Sequence, residues 1–183
     1  MSIILINMKN ERIVCLVPSL TELLVDLGLR SQIVGATNYC VHPDDLNTSR
    51  VAGTKNPNLN QIIELTPTYL LCNREENRRE DIEKLQKSMP DCRVRITDIG
   101  SFEDSLSSIA IVAEDLNVTA TADELVNKLR KIMQELLEVS NNCLSEQLKV
   151  LYLIWKKPWM TVGSDTYIQS ILKSFGLISC ITD

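Results

Sequence analysis

Thr119-Ala-Thr-Ala-Asp-Glu-Leu-Val-Asn-Lys-Leu-Arg-Lys-Ile-Met-Gln-Glu-Leu-Leu-Glu-Val-Ser-Asn-Asn142 is the stretch on which the fold turns. Leu125, Leu129, Ile132, Met133, Leu136 and Leu137 recur at helical spacing and make one apolar stripe. Thr121 with Glu124 has the form of a capping box, and Ser140-Asn141-Asn142 marks the stop. Neither Gly nor Pro interrupts it. At about 1.5 Å of rise per residue, roughly 20 residues reach about 30 Å, the width of a small domain. Such a helix can tie two lobes together as a strut, or it can be an ordinary long helix in one α/β domain. Its flanks decide.

Upstream, Arg12-Ile-Val-Cys-Leu-Val17 is a continuous apolar run that suits a strand covered on both faces. Pro18 ends it, Ser19 and Glu22 form a second capping box, and Leu20, Leu23, Leu24 and Leu27 give a helical stripe up to Gly28. A short strand over 32–36 follows. The segment 37–58 lacks periodicity and carries Pro43, Gly53 and Pro57, so it reads as a long loop of the kind that binds ligands. Then come a helix over 59–65, a strand over 68–72, a polar helix over 77–88, a strand over 93–96, and a helix opened by Ser101 and Asp104 that lasts to Leu116. Downstream of the long stretch, 148–154 reads as a strand apolar on both faces, with 160–162 as a hairpin mate. Asp165 caps a last helix that carries Ile168, Ile171, Leu172 and Phe175 inward, and Gly176 closes it. The order is βαβ, loop, βαβα, long helix, ββα: an α/β layered lobe with a largely parallel sheet, then the beginning of a second.

Composition narrows the function classes. The chain has 183 residues, 44% of them hydrophobic, and a net charge of -5, which argues against nucleic acid or an anionic membrane as partner. No run approaches the ~18 apolar residues of a membrane span. Met1 to Asn10 lacks a basic start and a small-residue cleavage site, so the chain as written is expected in the cytoplasm. Six cysteines include no C-x-x-C pair. Cys15, Cys72 and Cys92 fall in or beside strands, and we read the thiols as core rather than as disulfides or zinc ligands.

No dinucleotide fingerprint, P-loop or G-x-S-x-G occurs, and His42 is the single histidine, so no catalytic residue is assigned. The strand ends say more, because ligands of open α/β sheets bind beyond the carboxyl ends of the strands. Those ends carry Pro18-Ser19, Thr37-Asn38-Tyr39 and Asn73-Arg74-Glu75-Glu76. A further cluster holds Tyr152, Trp155, Trp159 and Tyr167, half of the eight aromatics. These rings are either ligand wall or core of a second lobe; the polar, turn-like Trp155-Lys-Lys-Pro-Trp159 favours the wall.

The motifs Arg12-Ile-Val-Cys-Leu-Val-Pro-Ser-Leu-Thr-Glu-Leu-Leu24, Cys40-Val-His-Pro43, Gly53-Thr-Lys-Asn-Pro57, Asn73-Arg-Glu-Glu-Asn77 and Trp155-Lys-Lys-Pro-Trp-Met-Thr-Val-Gly-Ser-Asp-Thr-Tyr-Ile168 resemble one family throughout and in order. It is the helical-backbone metal receptor family, the substrate-binding proteins of ABC importers for cobalamin, haem and iron-siderophore complexes. The resemblance implies two α/β lobes joined by a long helix: residues 1–117, the helix 118–142, and a second lobe, 143–183, shorter than in complete members. It implies a ligand in the cleft between lobes and no resident cofactor. Pro18 and Ser19 match the first cleft loop, Tyr39 an aromatic that faces a corrinoid, and Trp159 and Met160 the opposite wall. Cys40, His42, Lys55, Glu75 and Trp155 stand in the same motifs and complete the expected ligand set. Thr54 and Asn73 are polar where cobalamin binders carry rings. His42 is either an axial metal ligand or a polar loop residue. Docking to an ABC permease is expected to be weak, because Asn60 stands where the family carries a carboxylate. Relatives are mostly periplasmic or membrane-anchored. The alternative is a cytoplasmic enzyme or ligand sensor of the same fold, with Glu75 and Glu76 as its carboxylates or as a solvated first helical turn.

Overall fold

The computed structural model describes residues 11–143 and 148–181. The run after Arg12 becomes β1 (Ile13–Cys15), every side chain of it buried. Pro18 does more than end the strand. It occupies the first turn of α1 (Pro18–Asp26), where its missing N–H costs nothing and its fixed φ suits a helix. Val17 is the cap residue and no side chain caps this end, so the box expected from Ser19 and Glu22 does not form. Gly28 then takes φ 78, a left-handed exit that glycine adopts without strain.

The first compact unit runs to Thr97. After α1 come β2 (Ile33–Ala36), β3 (Ser49–Arg50), α2 (Leu59–Glu64), β4 (Tyr69–Asn73), α3 (Arg79–Ser88) and β5 (Arg93–Thr97). The five strands form one sheet in the order β3-β2-β1-β4-β5, all pairs parallel. Strand β3 interrupts the segment 37–58, which the sequence alone reads as a loop. The order turns back on itself between β1 and β4, and such a switch point opens a crevice at the strands' carboxyl ends. Val14, Leu16, Val51, Ile62, Leu70, Cys72, Ile82 and Leu85 pack the core between this sheet and helices α2 and α3. Gly35 permits that packing. A Cβ there would stand 2.7 Å from Leu65 Cδ1 and 3.1 Å from Val14 Cγ2.

The second compact unit begins at Asp98. Its α4 (Phe102–Asp115) opens as expected: Asp104 N–H donates to Ser101 Oγ, and Ser101 Oγ–H donates to Asp104 Oδ2. Asn117, at φ 58, turns the chain out of α4, a left-handed position asparagine tolerates. The long helix α5 (Thr119–Cys143) starts at once, so Thr121 and Glu124 lie inside it rather than at its head. Its 25 residues span about 37 Å. The expected stripe divides: Leu125, Leu129, Met133 and Leu137 are partly covered, whereas Ile132 and Leu136 are exposed beside Val139.

The run 148–154 is two strands, not one. β6 (Lys149–Val150) pairs parallel with β9 (Ile178–Ser179), and β7 (Leu153–Trp155) pairs antiparallel with β8 (Met160–Thr161), the expected hairpin. Leu148, Leu151, Leu153 and Ile154 are exposed, so an apolar run does not report burial here. Thr166, not Asp165, caps α6 (Tyr167–Ser174), its hydroxyl accepting from Gln169 N–H. Cys180 is exposed, unlike the thiols of the sheet, and all described cysteines are free. The readings made of Met1–Asn10 and of Cys143 fall outside the described residues and side chains. The protein is thus an α/β fold of two lobes, α4 and α5 carrying the chain from the five-stranded sheet to strands β6–β9.

Candidate functional site

Four loops leave the carboxyl ends of the parallel strands, and hydrogen bonds fasten them to one another. The loop after β3 is a tight turn: Asn58 N–H donates to Val51 O at 2.9 Å, Ala52 bridges Pro57, and Ala52 sits at φ 69. Asn38 N–H, in the loop after β2, donates to Ala52 O at 2.8 Å. Tyr39 therefore comes to lie over the turn. A Cβ built on Gly53 would be 3.3 Å from Tyr39 Cε2, so the ring lies against the Gly53 backbone. The ring remains 63% exposed.

Two further groups hold the β2 loop from behind. Arg50 Nη1 donates to Cys40 O at 2.7 Å and to Thr37 O at 3.1 Å. The Cys40 thiol is buried, 3.2 Å from the hydroxyls of both Thr21 and Thr37. The structure thus puts Cys40 beneath the loop and leaves Tyr39 and His42 on its outer side. Deeper still, burial pushes the Cys15 thiol up to about 12, offset in part by hydrogen bonds to Thr21 and Val17. Burial raises Cys72 likewise.

The loop after β4 turns on Asn73. Its Oδ1 accepts from Glu75 N–H at 2.9 Å and Glu76 N–H at 3.2 Å, while its Nδ2 donates to Thr97 Oγ1 at 3.1 Å. Lys55 Nζ reaches across to donate to Glu75 O. Asn77, four residues on, bonds to three segments at once: Nδ2 donates to Leu16 O at 3.2 Å and Thr54 O at 3.1 Å, and Oδ1 accepts from Asn73 N–H at 2.9 Å. Pro18, Ser19, Tyr39, Thr54, Lys55, Asn73 and Glu75 accordingly share one end of the first unit. Thr54 is buried and Asn73 half-buried, so both support this face more than they cover it. Asn77 was not among the site residues read from the sequence. Its one signal there was its place at the end of the Asn73-Arg-Glu-Glu-Asn77 motif.

Beside these loops, Asn73, Arg74, Arg79, Ile82, Glu83 and Ile96 line a pocket of about 320 Å³, with an Arg79–Glu83 ion pair at 2.7 Å. Asn60, the docking position, is exposed on α2. Among the described residues no three His, Cys, Asp or Glu side chains gather as a metal site, and His42 is exposed on its loop.

In the second unit the β7–β8 hairpin presents Trp155 and Trp159, 64% and 65% exposed, so neither indole is core. The Lys156 ammonium lies 5.8 Å from the Trp159 ring centroid, within cation–π range. Met160 is exposed beside them, while Val162 anchors the hairpin's end in the interior. Elsewhere in this unit Phe102, Met133 and Leu137 contribute to a pocket of about 510 Å³ among α4, α5 and α6, near an Arg130–Glu103 ion pair at 3.0 Å.

Comparison with known proteins adds three findings. The family profile described as periplasmic binding protein matches residues 13–183. A Bacillus subtilis (strain 168) protein named as an uncharacterized ABC transporter substrate-binding lipoprotein, YvrC, is 25% identical over 170 residues, 91% of this chain and 54% of that protein. Among solved structures, the periplasmic vitamin B12 binding protein BtuF of Vibrio cholerae superposes with a TM-score of 0.84 at 19% identity, over 94% of this chain and 67% of that one. A periplasmic heme binding protein of Pseudomonas aeruginosa gives 0.81 at 20% identity, over 94% and 63%. At such identities the likeness establishes the fold. The chain spans about half the length of the curated relative it matches. The cytoplasmic expectation is corrected here: the matched family and the solved structures are periplasmic binding proteins, and the curated relative is a lipoprotein. That expectation rested on residues 1–10, which lie outside the matched range.

Proposed function

This chain belongs to the periplasmic binding protein family, and from that premise we propose that it is the substrate-binding component of an ABC importer, taking a small metal-containing ligand. The family is one of non-catalytic binding proteins, and the alternative of an enzyme built on Glu75 and Glu76 is set aside. The observation that carries the proposal is the loop face at the β1/β4 switch point, where the exposed Tyr39 ring is seated on Gly53 and its supporting loops are cross-bonded. A flat, rigid, exposed aromatic on a fixed backbone suits a large planar or macrocyclic ligand, because it offers contact area at little entropic cost. Trp155 and Trp159 offer the same chemistry on the second unit. The ligand class proposed is a cobalamin-like corrinoid, haem or a ferric siderophore. The names of the solved relatives, which bind vitamin B12 and heme, support this class. With Thr54 buried and Asn73 engaged with Thr97, Tyr39 is the ring of the first unit on which such a ligand would stack.

The test is an absorbance titration with cyanocobalamin, haemin and a ferric siderophore. One of the three should bind stoichiometrically, and Tyr39→Ala should weaken it about fivefold, since one aromatic stack is worth roughly 1 kcal/mol. His42→Ala would shift the absorption bands of a bound haem or corrinoid if its imidazole is an axial ligand. Binding of none of the three would sink the proposed ligand class, and binding untouched by Tyr39→Ala would remove the loop face as the site.

A further inference from the structure

We infer that Asn77 is the positioning residue of the loop face, one buried amide that sets the spacing of the loops around the switch point. Its side chain is 7% exposed, and both of its donor hydrogens and its oxygen are spent on three different segments. Leu16 O lies two residues before Pro18, where β1 passes into α1. Thr54 O lies between Gly53, which seats Tyr39, and Lys55. Asn73 N–H lies at the head of the turn that carries Glu75 and Glu76. Leu16 directly follows β1 and Asn73 ends β4, the neighbours between which the strand order reverses. The ladder between them ends at Leu16 N–H, which donates to Leu71 O at 2.9 Å, and beyond that bond another group has to link Leu16 O to Asn73 N–H. A side chain must do it, and the job needs two donors and one acceptor in a planar fork of fixed reach. Only a primary amide has that set, and glutamine is one methylene too long for the same geometry. A buried carboxylate would confront two carbonyl oxygens with no hydrogen to give.

The local bonding is set by geometry alone; its consequence for affinity rests on the reading of the preceding section. Two readouts keep these apart. The first is hydrogen exchange in Asn77→Ala without any ligand. Amides of 52–58 and 73–76 should exchange at least tenfold faster, while Val14 and Leu70 in the middle of the sheet keep their rates. The second is titration of the same variant with haemin, cyanocobalamin and a ferric siderophore, in which affinity should fall about tenfold for whichever probe the parent binds. Uniform acceleration through the sheet would overturn the inference by making Asn77 an ordinary core residue, and so would unchanged loops. If none of the three probes binds the parent, the ligand class fails while the exchange result still judges Asn77. Should Asn77→Ala not fold, Asn77→Asp gives a second route. Protonation returns one donor to its carboxyl, so loop protection, corrected for intrinsic rates, should recover as pH falls. Loops in Asn77→Asp as protected as in the parent at neutral pH, with no such recovery, would overturn the inference too.

Discussion

Cys15 lies at the centre of the sheet, where a thiolate has neither water nor a cation to stabilise it, and burial raises its thiol from 9.0 to about 12. The consequence for stability has a definite sign. Between pH 9 and 12 the unfolded chain gives up this proton and the folded chain keeps it, so the folded state is disfavoured as pH rises; below 9 both hold it and nothing changes. The loss approaches a few kcal/mol, on the order of 4, at the upper end of that window. The urea midpoint should therefore be flat below pH 8 and fall above 9, and Cys15→Ala should flatten that fall relative to the parent. Identical alkaline slopes in the two proteins would show that the Cys15 thiol is not what titrates. Placing Cys15 and Cys72 in the core was possible from sequence because both lie inside apolar runs. Cys40 was not placed that way. Its neighbours Tyr39 and His42 face out, and nothing in Thr37-Asn-Tyr-Cys40 says that the thiol turns inward to the hydroxyls of Thr21 and Thr37.

Helix α2 approaches the sheet at Gly35, and the approach is close because that residue has no Cβ. Gly35→Ala should cost about 1–3 kcal/mol by driving Leu65 off the strand, as overpacked cores do. Denaturant unfolding of Gly35→Ala, Leu65→Ala and the double variant checks the cause. The double variant should be less destabilised than the sum of the singles, since each change removes the other's clash or gap. Strict additivity would place the strain elsewhere. Strands β1 and β4 were legible because burial on both faces writes an unbroken apolar run. Strands β3 and β9 were not, for two residues carry no period to read, and β6 was legible only as part of one longer strand with β7. Helix starts were misread where two signals competed. Pro18 at the first turn of α1 displaced the Ser19–Glu22 box, and the turn at Asn117 let α5 begin before Thr121.

The two units differ in how their strands are kept. The sheet of the first is five strands wide with helices packed on it, whereas the second holds its strands as two separate pairs with most of their apolar side chains exposed. Isolated pairs are marginal, so their amides should open far more often than those of the sheet. Exchange at Leu153 and Trp155 should be at least a hundredfold faster than at Val14 and Leu70. Equal protection would show that the second unit's strands are held by contacts of their own. At this scale the family was readable from five short motifs in order, and the two-lobed fold followed from them. The docking of each loop on its neighbours was not readable, because it runs through backbone carbonyls such as Leu16 O, Thr54 O and Ala52 O, which every residue type shares. The tryptophan hairpin has one more consequence. The chain's two tryptophans are both on it, so intrinsic fluorescence excited at the red edge is a private channel for that hairpin. An unfolding curve followed in this emission would follow the hairpin, and a quencher such as iodide would read indoles of the second unit.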